Sequence, residues 1–490
     1  MESFFKEILQ EEMTIAQIQE WMDKGEITSK DLVLYYLYRI AKYDQDGPEI
    51  HSILEINPDA IFIAEGLDHE RKTKGARGPL HGIPVLLKDN IETKDHQHTS
   101  AGTLALEKYI SDKDAFLVQR LRKAGAVIVG KTNMTELANG MSSKMWAGYS
   151  ARGGQVVNPY GSDFFVGGSS TGSAAAIAAN FAVLAVGTET DGSILSPAVQ
   201  NSVVGIKPTV GLISRSGIIP FTYSQDTAGP MARTVTDAAI LLSTLIGIDD
   251  EDPATLKSEN QSRMDYTCYL DETGLKDARI GVFTEASEHL FMPGEYDELL
   301  FRQAIETMTK AGAEMIMDIE IPSVHRQWSW SVNQYEMKHS LENFLAKLPT
   351  TLPVHTLTEL IEFNKQNEEK ALKYGQDKLE HRNSLSNTLR DSEYLLGKVE
   401  DLYYAQEKGI DEALEKYNLD AILFPAYVGS TISAKAGFPS IALPAGYMKN
   451  GRPFGITLAA GAFSEGTLIK LGYSFEQTGK FRRKPSLASL

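Results

Sequence analysis

The sequence predicts an α/β fold, one large domain with a central β-sheet flanked by helices. Three observations carry this. Short apolar runs read as buried strands and alternate with amphipathic or Ala-rich stretches that read as helices. Strand patterns return near the C-terminus after a long helical region, so early and late strands belong to one sheet. Asn450–Gly451, between the last two runs, is a type I′ hairpin signal.

In chain order, residues 14–43 alternate apolar and charged positions at helical spacing. Gly25 breaks this run, and Thr28–Ser29, both good N-cap types, restart it. Gly82–Asn90 reads as a short buried strand ending in a charge, with Val85, Leu86 and Leu87 leading into Lys88. Ala115–Arg122 reads as a helix leading into a strand at Ala126–Val129. Ala174–Asn180 is Ala-rich and predicts a helix, while Phe181–Val186 is wholly apolar and predicts a buried strand. Two Gly/Ser loops, Gly167–Ser173 and Gly187–Ser193, bracket that unit and can meet at one sheet edge.

Asp249–Pro253 reads as an acidic surface linker and the best boundary in the chain. Beyond it, Ala278–Phe283, a helix near 296–311 and Glu314–Ile321 form a strand–helix–strand unit. Residues 327–416 look helical and charged, with breaks at Pro349 and Pro353. Strands resume at Asp420–Phe424, Ser440–Leu443 and Phe454–Leu458. The expected division of the single domain is N-terminal helices over about 1–65, a core over about 66–245 and 418–480, and a variable, largely helical insertion over about 250–415.

A chain of 490 residues buries roughly three quarters of its unfolded surface, so its core needs neither disulfide nor metal. Its 42% hydrophobic and 23% charged residues are ordinary for a soluble globular protein. The formal net charge of −17 argues against a nucleic-acid partner, whose phosphates require clustered Lys and Arg. Cys268 is the only cysteine, which rules out an intramolecular disulfide and points to a reducing compartment. Met1–Glu2–Ser3–Phe4–Phe5–Lys6–Glu7 lacks the basic start and apolar core of a signal peptide. No run approaches ~18 consecutive apolar residues, so no membrane partner is expected. A cytoplasmic protein is the expectation.

Three patterns compete for the chemistry. Gly125–Thr132 satisfies G-x-x-x-x-G-K-[ST], the phosphate-binding loop. Its four middle residues are themselves the strand, so no loop is free to wrap a phosphate, and Lys131 is left a structural place or one at the site's edge. Gly168–Gly172 satisfies the G-x-S-x-G elbow with Ser170 at its centre. The elbow needs a strong preceding strand and later acid and histidine partners. Phe164–Val166 is short, and His289, His325, His339, His355 and His381 lie in the charged half.

The third pattern uses Lys88, Ser169 and Ser193. A serine hydroxyl is a weak nucleophile until a base takes its proton. A lysine can serve only when uncharged, which near pH 7.5 requires a downward shift of ~3 units, roughly 4 kcal/mol. Burial in apolar surroundings achieves shifts of that size. Lys88 follows three apolar residues, with Asp89 on the opposite strand face. His96–Gln97–His98 reads as a loop pair, and the sequence holds no metal-ligand cluster.

Gly82–Asn90, Gly167–Ser173 and Gly187–Pro197 resemble the amidase signature family, as do Gly205–Ile206–Lys207–Pro208–Thr209 and Asp226–Thr227–Ala228–Gly229–Pro230. Ser169 and Ser193 stand 24 positions apart, which matches the family's spacing. The resemblance extends to Ala436–Pro439 and Gly455–Leu458 and is weakest across about 250–415. It implies one large amidase signature domain on a central mixed sheet, and hydrolysis of a carboxylic amide to carboxylate and ammonia with no cofactor and no metal. By resemblance Ser193 is the nucleophile, Ser169 a bridging serine after a cis peptide bond, and Lys88 the base. Backbone N–H groups of Thr190, Asp191, Gly192 and Ser193 would form the oxyanion hole.

Departures narrow the reading. Glu189–Thr190–Asp191–Gly192–Ser193 stands where most relatives have Asp-Thr-Gly-Gly-Ser, and Leu195 and Ser196 stand where many carry an arginine. Without that cation a substrate carboxylate close to the scissile bond is not held. With Ser150–Gln155, these features look like the branch that includes peptide amidases, which remove C-terminal amides from peptides. The expected substrate is a small or peptide amide. The alternative is the glutaminase (A) subunit of a tRNA-dependent amidotransferase. Met145 and Trp146 are candidates for lining the acyl pocket, with core packing as the other reading.

Overall fold

The computed structural model describes residues 12–261, 263–284 and 296–490; Met1–Glu7 and His289 lie outside them. Two helices open the described chain, Ile15–Asp23 and Ser29–Tyr43, and each starts with a capping box. Thr14 and Gln17 exchange bonds in the first, Thr28 and Asp31 in the second. These reciprocal bonds satisfy N–H groups that a helix start would otherwise leave open.

Thirteen strands follow among the described residues: β1 (Ile53–Ile56), β2 (Pro84–Lys88), β3 (Val127–Thr132), β4 (Tyr149–Ser150), β5 (Gly154–Gln155), β6 (Leu184–Glu189), β7 (Val204–Lys207), β8 (Thr227–Ala232), β9 (Arg279–Val282), β10 (Glu314–Ile316), β11 (Ala421–Pro425), β12 (Ser440–Tyr447) and β13 (Pro453–Ala459). Eleven form one sheet in the order β1-β3-β2-β6-β8-β7-β12-β13-β11-β9-β10. The β2 pairs with β3 and β6 are parallel, as are those of β9 with β10 and β11, whereas β6–β8, β7–β12 and β12–β13 are antiparallel. The sheet is mixed, flanked by helices, and early and late strands share it.

The interior strands β2, β3 and β6 are buried along their whole length, which is why Val85–Leu87, Val127–Val129 and Leu184–Val186 read as apolar runs rather than alternating ones. The helix Thr171–Ala178 is buried on every side. Its small residues permit that. A Cβ on Gly172 would lie 2.3 Å from the Asn133 carbonyl oxygen and 2.5 Å from that of Ser52.

Several sequence expectations are corrected. The helix–strand unit sits about three residues off its expected place. The helix begins at Thr171, Ala179–Val183 make the turn with Asn180 at φ 59°, and the strand is Leu184–Glu189. Gly187–Glu189, expected in a loop, are strand because β8 pairs with them residue by residue. The strand expected over Glu314–Ile321 stops at Ile316, since the chain turns through Asp318 at φ 55° and sends Ile319 and Ile321 into a separate apolar cluster. The β12–β13 hairpin exists, but its turn is not type I′: only Gly451 has positive φ, and Gly451 N–H bonds to the Met448 carbonyl. That is a type I turn closed by a left-handed glycine, the common three-residue loop.

Asp249–Pro253 exposes Asp250, Glu251 and Pro253 as expected, but it is pinned to the core rather than a free linker. Asp252 is buried in an ion pair with Arg215, and Asp249 accepts from the Ser214 hydroxyl at 2.5 Å. Segment 250–415 carries β9 and β10 within the sheet besides its helices, among them Ser331–Leu345, Leu357–Gln366 and Asp377–Asn383. No helix of the described residues is long and apolar enough to cross a membrane.

Candidate active site

Lys88 is the last residue of β2 and has no exposed surface. Its Nζ reaches Ser169 Oγ at 2.7 Å, Thr188 Oγ1 at 2.9 Å, and Ser170 Oγ and the Thr188 carbonyl at 3.0 Å each. No carboxylate among the described residues forms an ion pair with it. Burial lowers its pKa to about 7, while the charges of Glu189 and Asp226 push the other way. Asp89 lies elsewhere, as the strand alternation predicts, accepting from Ser100 and from Gly102 N–H at 2.9 Å.

The serine loops meet above β6. Gly168–Ser169 is a cis peptide bond. Ser170 N–H donates to the Ser193 carbonyl at 3.0 Å, tying the loops together. Ser170 Oγ donates to the Thr188 carbonyl at 2.8 Å and accepts from Thr188 N–H at 3.1 Å. Ser170 is thereby part of the backbone lattice, which disposes of the elbow pattern. Gly187 makes room for it, since a Cβ there would come 2.9 Å from Ser170 Oγ.

Residues 190–193 are held at three points. The Glu189 carboxylate accepts from Ile194 and Leu195 N–H at 2.6 and 2.9 Å. Thr190 Oγ1 donates to Asp226 Oδ1 at 2.5 Å, and Thr431 Oγ1 donates to Asp191 Oδ2 at 2.9 Å. Burial raises the pKa of Glu189, Asp191 and Asp226, the last to about 6. The N–H groups of Asp191, Gly192 and Ser193 donate to no acceptor among the described residues. These donors, Ser169 and Ser193 all line one cavity of about 600 Å³.

Met145 and Trp146 are corrected as pocket residues: neither lines this cavity. Met145 packs against the apolar cluster of Met134 and Leu137, and Trp146 is 45% exposed, edge-on to Phe165 at 5.6 Å between ring centroids. Their neighbours Ala147 and Phe165 line it instead. Lys131 is structural, its Nζ donating to the Ile91 carbonyl and to Thr99 Oγ1. His96 and His98 bond to Asp59 and Glu55 separately. No group of three His, Cys, Asp or Glu among the described residues is placed to hold a metal ion.

Sequence reasoning missed the cavity's other wall. Trp330, Asn333 and Gln334 come from the helical region near the start of Ser331–Leu345, and Lys378, His381 and Arg382 from Asp377–Asn383. Their local pattern is that of a solvated charged helix, so no sequence signal marks them. Of the five histidines weighed for the elbow, only His381 among the described residues reaches the cavity.

The family model described as Amidase matches residues 31–436. The crystal structure of peptide amidase from Stenotrophomonas maltophilia is similar at a TM-score of 0.91 and 42% identity, over 97% of this chain and 99% of that one. An Arabidopsis thaliana protein named as an amidase is 39% identical over 486 residues, 97% of this chain and 91% of its own. The glutamyl-tRNA(Gln) amidotransferase A-subunit of Thermoanaerobacter pseudethanolicus is 32% identical, over 96% of this chain and 98% of its own.

Proposed function

The chain belongs to the amidase signature family and is a hydrolase acting on amides, and from that premise we propose that it cleaves a peptide C-terminal amide or small amide through a Ser-cisSer-Lys relay. The carrying observation is the fully buried Lys88 amine 2.7 Å from the Oγ of Ser169, a serine that lines the same cavity as Ser193.

An uncharged amine has two N–H donors and one lone pair. The donors are satisfied by Thr188 and Ser170, which leaves the lone pair to accept the Ser169 hydroxyl proton. Ser169 in turn takes the proton of Ser193, whose Oγ attacks the amide carbon. The carbonyl oxygen becomes an oxyanion, and the N–H groups of Thr190, Asp191, Gly192 and Ser193 are the donors assigned to it, a reading supported by the lack of any other acceptor for the last three among the described residues. Each such donor is worth ~3 kcal/mol. Glu189 and Asp226 favour the charged form of Lys88 while it holds the proton. The proton returns through Ser169 to the leaving nitrogen, and ammonia departs. Water then attacks the acyl-enzyme by the same path, which releases the carboxylate and restores both hydroxyls.

The test is ammonia release by the purified single chain from neutral C-terminally amidated dipeptides. Release without any partner is expected, with Ser193→Ala reducing kcat by about 10³ or more while remaining folded. A folded chain that needs a second protein for activity would support the amidotransferase reading. Full activity in Ser193→Ala would overturn the assigned nucleophile.

A further inference from the structure

One wall of the cavity is cationic in a chain whose formal net charge is −17. The helix Asp377–Asn383 sends Lys378, His381 and Arg382 to it. Arg382 is 7% exposed. Its Nη1 donates to the Gly140 carbonyl at 2.6 Å, and its guanidinium lies 5.3 Å from the Phe221 ring centroid. Its Nε is buried without an acceptor among the described residues, and no carboxylate there forms an ion pair with it. Lys378 Nζ donates only to the Asn139 carbonyl, at 3.2 Å.

The neighbouring acids are engaged elsewhere. Asp377 accepts from Ser142 Oγ and Ser143 N–H, Glu380 faces Lys365 at the surface, and Asp191 is bonded to Thr431. A buried guanidinium with an open donor is unfavourable unless an anion completes it. Burial holds the pKa of both Arg382 and Lys378 below their ordinary values, with Arg382 adding to the effect on Lys378 and the charge of Asp377 only partly opposing it in both.

We infer that this wall receives a carboxylate carried by the acyl part of the substrate, away from the scissile amide. The preferred substrate is then the C-terminal amide of an acidic peptide. The guanidinium presents a planar fork that matches a carboxylate, and Lys378 adds charge beside it. Leu195 and Ser196, next to Ser193 in the chain, carry no charge, so among the cavity-lining residues the groups that offer a carboxylate a cation are Lys378, His381 and Arg382. This specificity rests on the amide hydrolysis proposed above.

The experiment compares C-terminally amidated tripeptides that differ in one side chain, Glu, Gln or Lys, at the residue preceding the amidated one. Ammonia release reads kcat/KM in wild type, Arg382→Gln and Lys378→Gln, and calorimetric binding to Ser193→Ala reads the same preference without turnover. The Glu peptide should exceed the Gln peptide by about tenfold or more, chiefly through KM, with the Lys peptide lowest. The preference should fall as salt is raised, and each variant should move the Glu/Gln ratio toward one. Lys378 is partly exposed, so its variant reads the effect without risk to the core. A wild type that binds and turns over Gln as well as Glu overturns the inference, as does a ratio unchanged in both folded variants. If no peptide yields ammonia yet Ser193→Ala binds Glu over Gln, the reaction assignment fails and the anion site stands.

Discussion

The proposed relay makes Lys88 the base, and a lysine base works only uncharged, so on that proposal the pH dependence of turnover reports the surroundings of Lys88. Burial takes its pKa from the ordinary 10.5 to about 7, against the opposing pull of Glu189 and Asp226. A displacement of that size corresponds to about 5 kcal/mol. Because the folded value lies below the ordinary one, the amine is charged below about pH 7 and uncharged above it. On a neutral amide, kcat/KM should rise about tenfold per unit in the acid range and level off above roughly pH 8. An exposed lysine would place that limb near 10.4 instead. Lys88→Arg retains a cation that does not deprotonate, and Lys88→Met removes the amine while Ser170 keeps its bonds to Thr188. Both should lower kcat/KM by about 10²–10⁴ and erase the limb. The assay is ammonia release from about pH 5 to 9.5, with thermal unfolding as the check on fold. A flat wild-type profile, a limb near 10, or a variant that keeps the wild-type profile would refute the reasoning.

Thr190→Val removes the 2.5 Å bond to Asp226, one of the three ties on the loop of free N–H groups. It should lower kcat by about tenfold or more with a smaller change in KM, read by steady-state kinetics. It should also raise the Asp226 pKa further above about 6, since Thr190 is a donor that holds it down. Gly172→Ala places a Cβ within 2.5 Å of two backbone carbonyl oxygens, and neither can move without shifting β3 or the segment before β1. It should cost about 1–3 kcal/mol or more, seen as a lower urea midpoint with an unchanged slope.

Much of the fold was legible because burial leaves a local mark. A strand covered on both faces carries an unbroken apolar run, and Val85–Leu87, Val127–Val129 and Leu184–Val186 are written that way, with Lys88, Lys131, Thr132, Thr188 and Glu189 gathered at the strand ends. The pattern was least reliable where two segments share one apolar vocabulary. Phe181–Val183 is as apolar as the strand that follows it, and only the pairing of β6 with β8 decides that the strand runs on through Gly187–Glu189. Asp252 reads as surface until Arg215, 37 residues earlier in the chain, is found beside it.

The candidate site divides the same way. Lys88 after three apolar residues, and two serines in glycine loops, are legible because an uncharged lysine needs dry surroundings and closely approached hydroxyls need missing side chains. The sequence by itself therefore determined the α/β class, the buried lysine and the two serine loops. Tertiary structure alone decided which hydroxyl the amine meets at 2.7 Å, that Ser170 is bound into the backbone, and that Lys378 and Arg382 face the same cavity from more than 180 residues further along the chain. Burial is a property each residue declares through its own chemistry, whereas contact between distant residues is set by how helices and strands pack, and nothing in their local sequence records it.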